Sequence, residues 1–351
     1  MFHEEDYNTE SEILQDLKNG KTRPWRPKKV RNLVLSDSYK RLGNDKKSSD
    51  IKACALTLVY DTNEETLRKY LKNAYFCQKR LCPMCQWRKS IKTFYELSKV
   101  MDVTEQRNKD LVPVFLTLTV KNCKGDELPR LISDVLQGWY QLTKHRKMNR
   151  IVKGWFRALE VTYDGDKVIS KRRYNKRQEE YDRKGIKAGD VNLNYDTFHP
   201  HIHAILLVEK GYFTGKDYMH TTEWVQLWRT SAGLDYDPTC DIRKVRKNKG
   251  KQKDVADVAK YTLKDMEYIK DDKELTDKLV NILDGALHRR RLYAYGGVLK
   301  EVAKDLNVNT KNPDSGDLVH IDDDSIREDI ATVVEVYKWN FGAANYFKVR
   351  G

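Results

Sequence analysis

No apolar run in this chain approaches the roughly 18 residues that a membrane span needs. The N-terminus, Met1-Phe2-His3-Glu4-Glu5-Asp6, is acidic and lacks the apolar core of an export signal, so the expectation is a soluble cytoplasmic protein with no membrane partner. Cysteine is scarce. Six in 351 residues is too few for a disulfide scaffold, and in a reducing compartment clustered cysteines lean toward metal. Acidic charge is in the minority: 66 Lys and Arg against 52 Asp and Glu leave a formal net charge of +14. That balance favours a polyanionic partner, above all nucleic acid. Ribosomal and membrane-surface proteins are equally basic, so function has to be read from motifs. The length allows two or three compact units with a sizeable core.

Against this background one stretch stands out, Phe198 to Val208 (FHPHIHAILLV), which holds three of the eight histidines within five residues. The β-branched and aliphatic run from Ile202 to Val208 reads as a buried strand. Alternation then puts His201 and His203 on one face and Ile202 and Ala204 on the other. Two imidazoles at i and i+2 on a rigid strand can share one metal ion and leave its outer side open to a substrate. Ordinary half-exposed histidines are the bland alternative, but burying two imidazoles without partners is costly.

Residues 1–50 are polar and basic, with Trp25 set among Lys and Arg, and read as an N-terminal arm with a short helix, either touching DNA or merely solvated. Residues 51–100 read as a Cys-rich element. It opens with an alternating strand, Cys54 to Tyr60, followed by a helical segment from about Glu64 to Ala74. Cys82 and Cys85 then form a CxxC, Cys77 stands five residues earlier, and Cys54 offers a fourth thiolate. Structural zinc takes four soft ligands at tetrahedral corners, so Cys54, Cys77, Cys82 and Cys85 are the expected zinc ligands. A redox pair and plain buried cysteines are the alternatives. A basic helix follows from Trp87 to about Val100.

Residues 101–305 carry three strands: Val112 to Val120, Gly154 to Tyr163 and the histidine strand. A helix from about Glu127 to Lys144 separates the first two, with Leu128, Leu131, Ile132, Val135 and Leu136 at core spacing. Glu160 is a lone carboxylate inside an apolar strand, which is unusual without a partner. If that strand lies beside the histidines, Glu160 is a third metal ligand; a salt-bridged or edge glutamate would look the same. The insert from Lys167 to Lys187 holds nine Lys or Arg interleaved with Tyr174 and Tyr181, and Arg243 to Lys253 holds seven. Both are solvated charge runs or phosphate-contacting loops, and Arg172, Arg173, Arg243, Lys244, Arg246 and Lys247 are the candidate DNA contacts. Thr222 to Arg229 is an amphipathic helix with Thr221 or Thr222 as N-cap.

The second chemical motif is Asp254 to Tyr268. Read as a helix, it puts Asp257, Tyr261, Lys264 and Tyr268 on one polar face. A tyrosine between an acid and a lysine suits a phosphodiester-transfer nucleophile, the lysine easing charge on phosphate or phenolate and the carboxylate handling a proton. A surface salt-bridge ladder would show the same pattern. Beyond Leu306 the chain turns at Asn312 to Asp317, and residues 306–351 read as a small packing or interaction element.

His-Ile-His on a strand followed by Tyr-x-x-Lys on a helix resembles the HUH endonuclease superfamily. More closely, the chain resembles rolling-circle plasmid replication initiators (Rep proteins) of the single-tyrosine class. The Cys-rich Phe76 to Lys89 segment, Phe115 to Thr119, Leu159 to Thr162 and Tyr293 to Lys300 extend the likeness to roughly residues 20–305. The resemblance implies Tyr261 as the nicking nucleophile, Lys264 as its lysine, and His201 and His203 as ligands of a catalytic Mn²⁺ or Mg²⁺, with Glu160 beside them. Where the class has a glutamate that directs a terminating hydrolysis, this chain has Asp257, which keeps the acid but shortens its reach. The implied partners are single-stranded or extruded origin DNA, a host helicase and polymerase, and a second copy of the chain. The implied fold is α+β, an HUH-type nuclease domain with a central antiparallel sheet flanked by helices, plus a small zinc-binding element. A relaxase or transposase of the same superfamily, or a non-catalytic zinc-containing repressor, is the competing reading.

Overall fold

The computed structural model describes residues 12–18, 20–245, 247–248, 251–252, 264–310, 316–321 and 332–349. The chain divides into two compact units, one built from residues 1–95, 269–281 and 315–351, the other from residues 96–268 and 282–314.

In the first unit, the short helix expected near the N-terminus is the 17-residue helix α1 (Trp25–Arg41), followed by α2 (Asp45–Ala53). Trp25, Lys29, Asn32 and Leu35 of α1 are all buried. The sequence pattern hides this because five of the eight buried positions of the helix are polar: Lys28, Lys29, Asn32, Ser36 and Ser38. Strand β1 (Thr57–Asn63) pairs with β2 (Lys69–Ala74) and with β8 (Thr332–Asn340), which pairs in turn with β9 (Asn345–Lys348), giving an antiparallel four-stranded sheet. The helix expected over Glu64 to Ala74 is therefore wrong: β2 takes the latter part of that segment. Its Lys, Asn and Ala carry little strand preference of their own, and pairing along β1 overrides them. The first half of helix α3 (Pro83–Arg107) belongs to this unit.

The second unit is organised by a five-stranded antiparallel sheet. It contains β3 (Leu111–Thr119), β4 (Val152–Asp164), β5 (Thr197–Glu209), β6 (Cys240–Lys244) and β7 (Tyr293–Gly296), in the order β7-β4-β5-β3-β6. The expected central antiparallel sheet is thus present, with the histidine strand in the middle. Helix α4 (Leu128–Lys144) lies on the face away from the histidines, where Trp139 meets Trp155 edge-on at 5.2 Å. Helix α8 (Thr221–Ser231) packs on α4, Gly138 coming so near Ala232 that a Cβ there would lie 2.8 Å from it. The N-cap of α8 is His220 rather than Thr221 or Thr222, because Glu223 reaches back to accept from the His220 N–H at 3.0 Å. On the histidine-bearing face the second half of α3 covers only the far end, where Met101 and Thr104 line a small cavity with Leu207. Around the histidines little side chain is exposed: His201 is buried, and the side chains of His203 and Glu160 are 21% and 16% exposed.

Between β4 and β5 stand two short helices, α6 (Lys171–Lys176) and α7 (Gln178–Arg183). Helix α11 (Gly297–Asp305) packs against β4 at Gly297, whose φ of +54° and 2.2 Å Cβ approach to the Lys153 carbonyl admit no side chain. Helix α5 (Arg146–Ile151) leads into β4, a single turn α9 (Asp265–Tyr268) docks on it, and α10 (Lys273–Ala286) straddles the two units. Among the described residues no helix is long and apolar enough to cross a membrane.

Candidate metal centres

Strand register builds the first site. Glu160 on β4 stands opposite His201 on β5, Ala158 opposite His203, and Thr117 on β3 opposite His203 from the other side. Alternation therefore turns Glu160, His201 and His203 to one face. Glu160 Oε2 lies 3.1 Å from His203 Nε2 and 3.3 Å from His201 Nε2. Each imidazole is held by its other nitrogen. His203 Nδ1 is 3.0 Å from the Thr117 hydroxyl, and His201 Nδ1 is 3.2 Å from the His199 carbonyl oxygen. A proton on Nδ1 of His201 donates to that carbonyl and leaves the Nε2 lone pair facing Glu160. Burial pushes the Glu160 carboxyl up, but the two imidazoles outweigh it and hold the group well below the usual carboxylate range. His199 stacks on His201 with ring centres 5.2 Å apart, and burial, with His201 beside it, draws its imidazole down to about 4. Lys264 reaches the site from the following segment, its Nζ 3.6 Å from Glu160 Oε1 with half of its side chain in solvent. Just beyond it the α9 residue Glu267 accepts from the Tyr163 backbone N–H at 3.2 Å, and Tyr268 is fully buried.

Three donors, one carboxylate and two imidazoles, converge with their ligand atoms within 4.8 Å of one another. Adjacent ligands at about 2.1 Å from an octahedral ion lie about 3 Å apart, close to the two carboxylate–imidazole distances. The donor set fits a divalent ion with open positions.

The second site is in the other unit and is closed. Cys54, at the end of α2, Cys77 after β2, and Cys82 and Cys85 at the start of α3 are all buried, and none is in a disulfide. Their sulfurs stand 3.6 Å (Cys54 to Cys85 and Cys54 to Cys82) and 3.7 Å (Cys77 to Cys85) apart. Four sulfurs at about 2.3 Å from a common centre would be about 3.8 Å apart, so the residues fit a tetrahedral ion. Burial pushes the Cys54 and Cys85 thiols up. For Cys82 burial acts the same way, but hydrogen bonds from the other three sulfurs prevail and hold it well below the ordinary thiol. Behind the sulfurs lies Lys29, fully buried, whose ammonium donates to the carbonyls of Cys54 (2.6 Å) and Lys52 (2.7 Å) and to Asn32 Oδ1 (3.1 Å). Asn32 Nδ2 in turn donates to Cys82 Sγ at 3.3 Å. Burial draws the Lys29 amine down to about 8, against the pull of the four thiolates. Motif reading singles out none of Thr117, Lys29 and Asn32. For Thr117 a signal exists, its place on the β3 face opposite Leu116 and Leu118; for Lys29 there is none.

Not all of the other residues singled out by sequence are among the described ones. Asp257, Tyr261 and Arg246 lie outside the described residues, as does the Lys247 side chain. Arg172 is exposed, whereas Arg173 is tied to Asp164 by a two-pronged bond, both contacts 2.8 Å. Arg243 stacks 4.3 Å over Phe115 beside Asp241, and Lys244 sits 4.5 Å over Phe213.

An antiparallel sheet that brings a carboxylate and two imidazoles together on one face, in one chain with a buried four-cysteine cluster, defines an α+β protein with two groups of side chains able to hold metal. The profile of the family described as "Replication protein" matches residues 68–347, and the chain belongs to that family. It is 36% identical to a protein named "Protein rep" from Bacillus amyloliquefaciens, over 97% of this chain and 99% of that one. It is 34% identical to a "Protein rep" from Streptococcus pneumoniae serotype 2 (strain D39 / NCTC 7466), over 97% and 96%, and 31% identical to one from Lactiplantibacillus plantarum, over 96% and 99%. No solved structure matches significantly. The resemblance to Rep proteins drawn from the motifs holds at the level of the family.

Proposed function

We propose that this chain is a plasmid rolling-circle replication initiator that nicks and rejoins one strand of its origin through a tyrosine-linked intermediate. The observation that carries the reading is the convergence of Glu160, His201, His203 and Lys264 on one sheet face. Lys264 is what ties the nucleophile motif to the metal motif. Tyr261 precedes it by three residues, so covalent geometry alone keeps the two Cα atoms within about 11 Å.

A divalent ion held by Glu160, His201 and His203, Mn²⁺ or Mg²⁺ as the resemblance implies, would polarise the scissile phosphate. Tyr261 supplies the attacking oxygen. Its new bond to phosphorus replaces the bond to the 3′ oxygen, which leaves as a hydroxyl able to prime a host polymerase, while the 5′ phosphate stays on the tyrosine. Lys264 offsets negative charge on the phosphate oxygens, and Asp257 or solvent takes the phenolic proton. Because the phosphotyrosine ester conserves the energy of the broken bond, rejoining needs no nucleotide. The four cysteines hold a structural Zn²⁺. Origin DNA in single-stranded or extruded form is the substrate, and a cytoplasmic location follows from that role.

The test is incubation of wild-type protein and Tyr261→Phe with an end-labelled single strand of the origin and Mn²⁺, followed by a denaturing gel. A covalent protein–DNA adduct that vanishes in the variant is expected. Binding without nicking or attachment by the wild type would reject the catalytic reading in favour of a zinc-containing repressor.

A further inference from the structure

The register that aligns the metal ligands continues past them. Thr162 faces His199 and Asp164 faces Thr197, so Asp164 lies on the same side of the sheet as Glu160, four residues on and about 13 Å away. There the chain leaves the sheet for residues 165–196. Asp164 anchors that excursion at two points. Arg173 of α6 forks onto its carboxylate and also donates to the Tyr181 hydroxyl, with each of these contacts at 2.8 Å. Asn192, nearly fully buried, donates to the same carboxylate at 2.8 Å and to the Asp166 carbonyl at 2.7 Å. Helix α6 is thereby tied to the end of β4, on the strand that carries Glu160.

Charge within the excursion is segregated. Lys171, Arg172, Lys176 and Arg177 are exposed and pair with no carboxylate among the described residues. Three of the acids nearby are engaged elsewhere, Glu180 with Lys184 at 2.7 Å, Asp182 with the Tyr174 hydroxyl at 2.5 Å and Asp190 with the Lys187 N–H at 2.6 Å, while Glu179 stands exposed on α7. Either side of the anchored Asn192, Val191 is 73% and Leu193 90% exposed.

Resting on the nicking reading above, we infer that residues 165–196 grip single-stranded DNA beside the metal face. Lys171, Arg172, Lys176 and Arg177 take phosphates, and Val191 and Leu193 lie against unpaired bases. Arg173 and Asp164 are positioning residues that set α6 and touch no DNA. A duplex offers phosphates to the cations but keeps its bases stacked on one another unless it is kinked; a single strand offers phosphates and free base faces together.

The test measures binding of the full-length protein to a fluorescein-labelled single strand spanning its origin, and to the matching duplex, across a salt series without divalent ions. Changing Lys171, Arg172, Lys176 and Arg177 together to Gln is expected to cut single-strand affinity at least about tenfold and to lower the slope of log K against log salt by about 0.7 for each phosphate no longer neutralised. Leu193→Ser is expected to weaken single-strand binding severalfold at unchanged slope and to leave duplex binding alone. Asp164→Asn removes a negative charge yet is expected to weaken binding, the sign opposite to a simple electrostatic effect. The inference is overturned if the Gln variant keeps wild-type affinity and slope while the wild type nicks, or if single strand and duplex suffer equally and Leu193→Ser is silent. Failure of the wild type to nick at all is a separate result, which rejects the nicking reading itself.

Discussion

The two metal sites are opposites in construction. At the cysteine site every ligand is buried, all four corners are protein sulfur, and the nearby cation, Lys29, is sealed in with all three of its hydrogen bonds satisfied. At the histidine site the protein supplies only three donors, and the nearby cation, Lys264, has half of its side chain in solvent. A closed sphere with soft ligands suits an ion that holds chain together; an open one with hard and borderline ligands suits an ion that meets a substrate. The same elements, a donor cluster and a lysine, thus suit different chemistry according to how many donors the protein supplies.

That contrast breaks most visibly if metal is removed. Cys82→Ser, or stripping by a strong chelator, is expected to unfold the unit around the cysteines. A structural zinc contributes on the order of 10 kcal/mol, comparable to the whole stability of a domain. A thermal melt that does not move after elemental analysis shows the zinc gone would erase the distinction. His203→Ala should do the reverse, lowering Mn²⁺-dependent nicking by on the order of a thousandfold while the melting curve stays near that of the wild type. Lys29→Met sharpens the comparison further: zinc affinity, followed by competition with a chromophoric chelator, is expected to fall about 10- to 100-fold, with nicking at saturating zinc unchanged. Thr117→Val removes the hydroxyl that orients His203 and should shift the Mn²⁺ dependence of nicking to about tenfold higher metal.

The smallest effect concerns acid stability of the cysteine-bearing unit away from either site. Burial raises the Glu335 carboxyl, but Lys348, Lys69 and Thr62 outweigh it and hold it at about 2. Lys348 Nζ is 2.6 Å from Oε1, and the Thr62 hydroxyl is 2.7 Å from Oε2. A carboxyl with a folded value below its unfolded one stabilises the fold above the unfolded value and loses that contribution as pH falls toward the folded one. Stability should therefore decline from about pH 4.5 to about pH 2, and urea titrations of Glu335→Gln should show a shallower decline over that window.

Much of the open site is legible in the chain. A His-x-His on an aliphatic strand and a lone Glu on another need only adjacent register to become a site, and β4 and β5 supply it. The cysteine ligands are legible because spacing alone brings Cys82 near Cys85. Their support is not, since Lys29 and Asn32 look like surface residues of a basic helix until packing buries them. The strand at residues 69–74 is hidden for a related reason: its identity lies in the partner β1 and not in its own side chains. In the sequence Arg173 is one cation among several, and only the fold shows that Asp164 answers its charge.

The ladder between β4 and β5 closes at Asp164 and Thr197, so the sheet leaves the 32 residues between them free in length. Doubling such a loop adds only about 0.6 kcal/mol to the cost of closing it. On the proposed reading, a lineage moving to a new origin could rewrite or lengthen this segment without disturbing Glu160, His201 or His203, and recognition and chemistry would then evolve at separate rates within one hairpin.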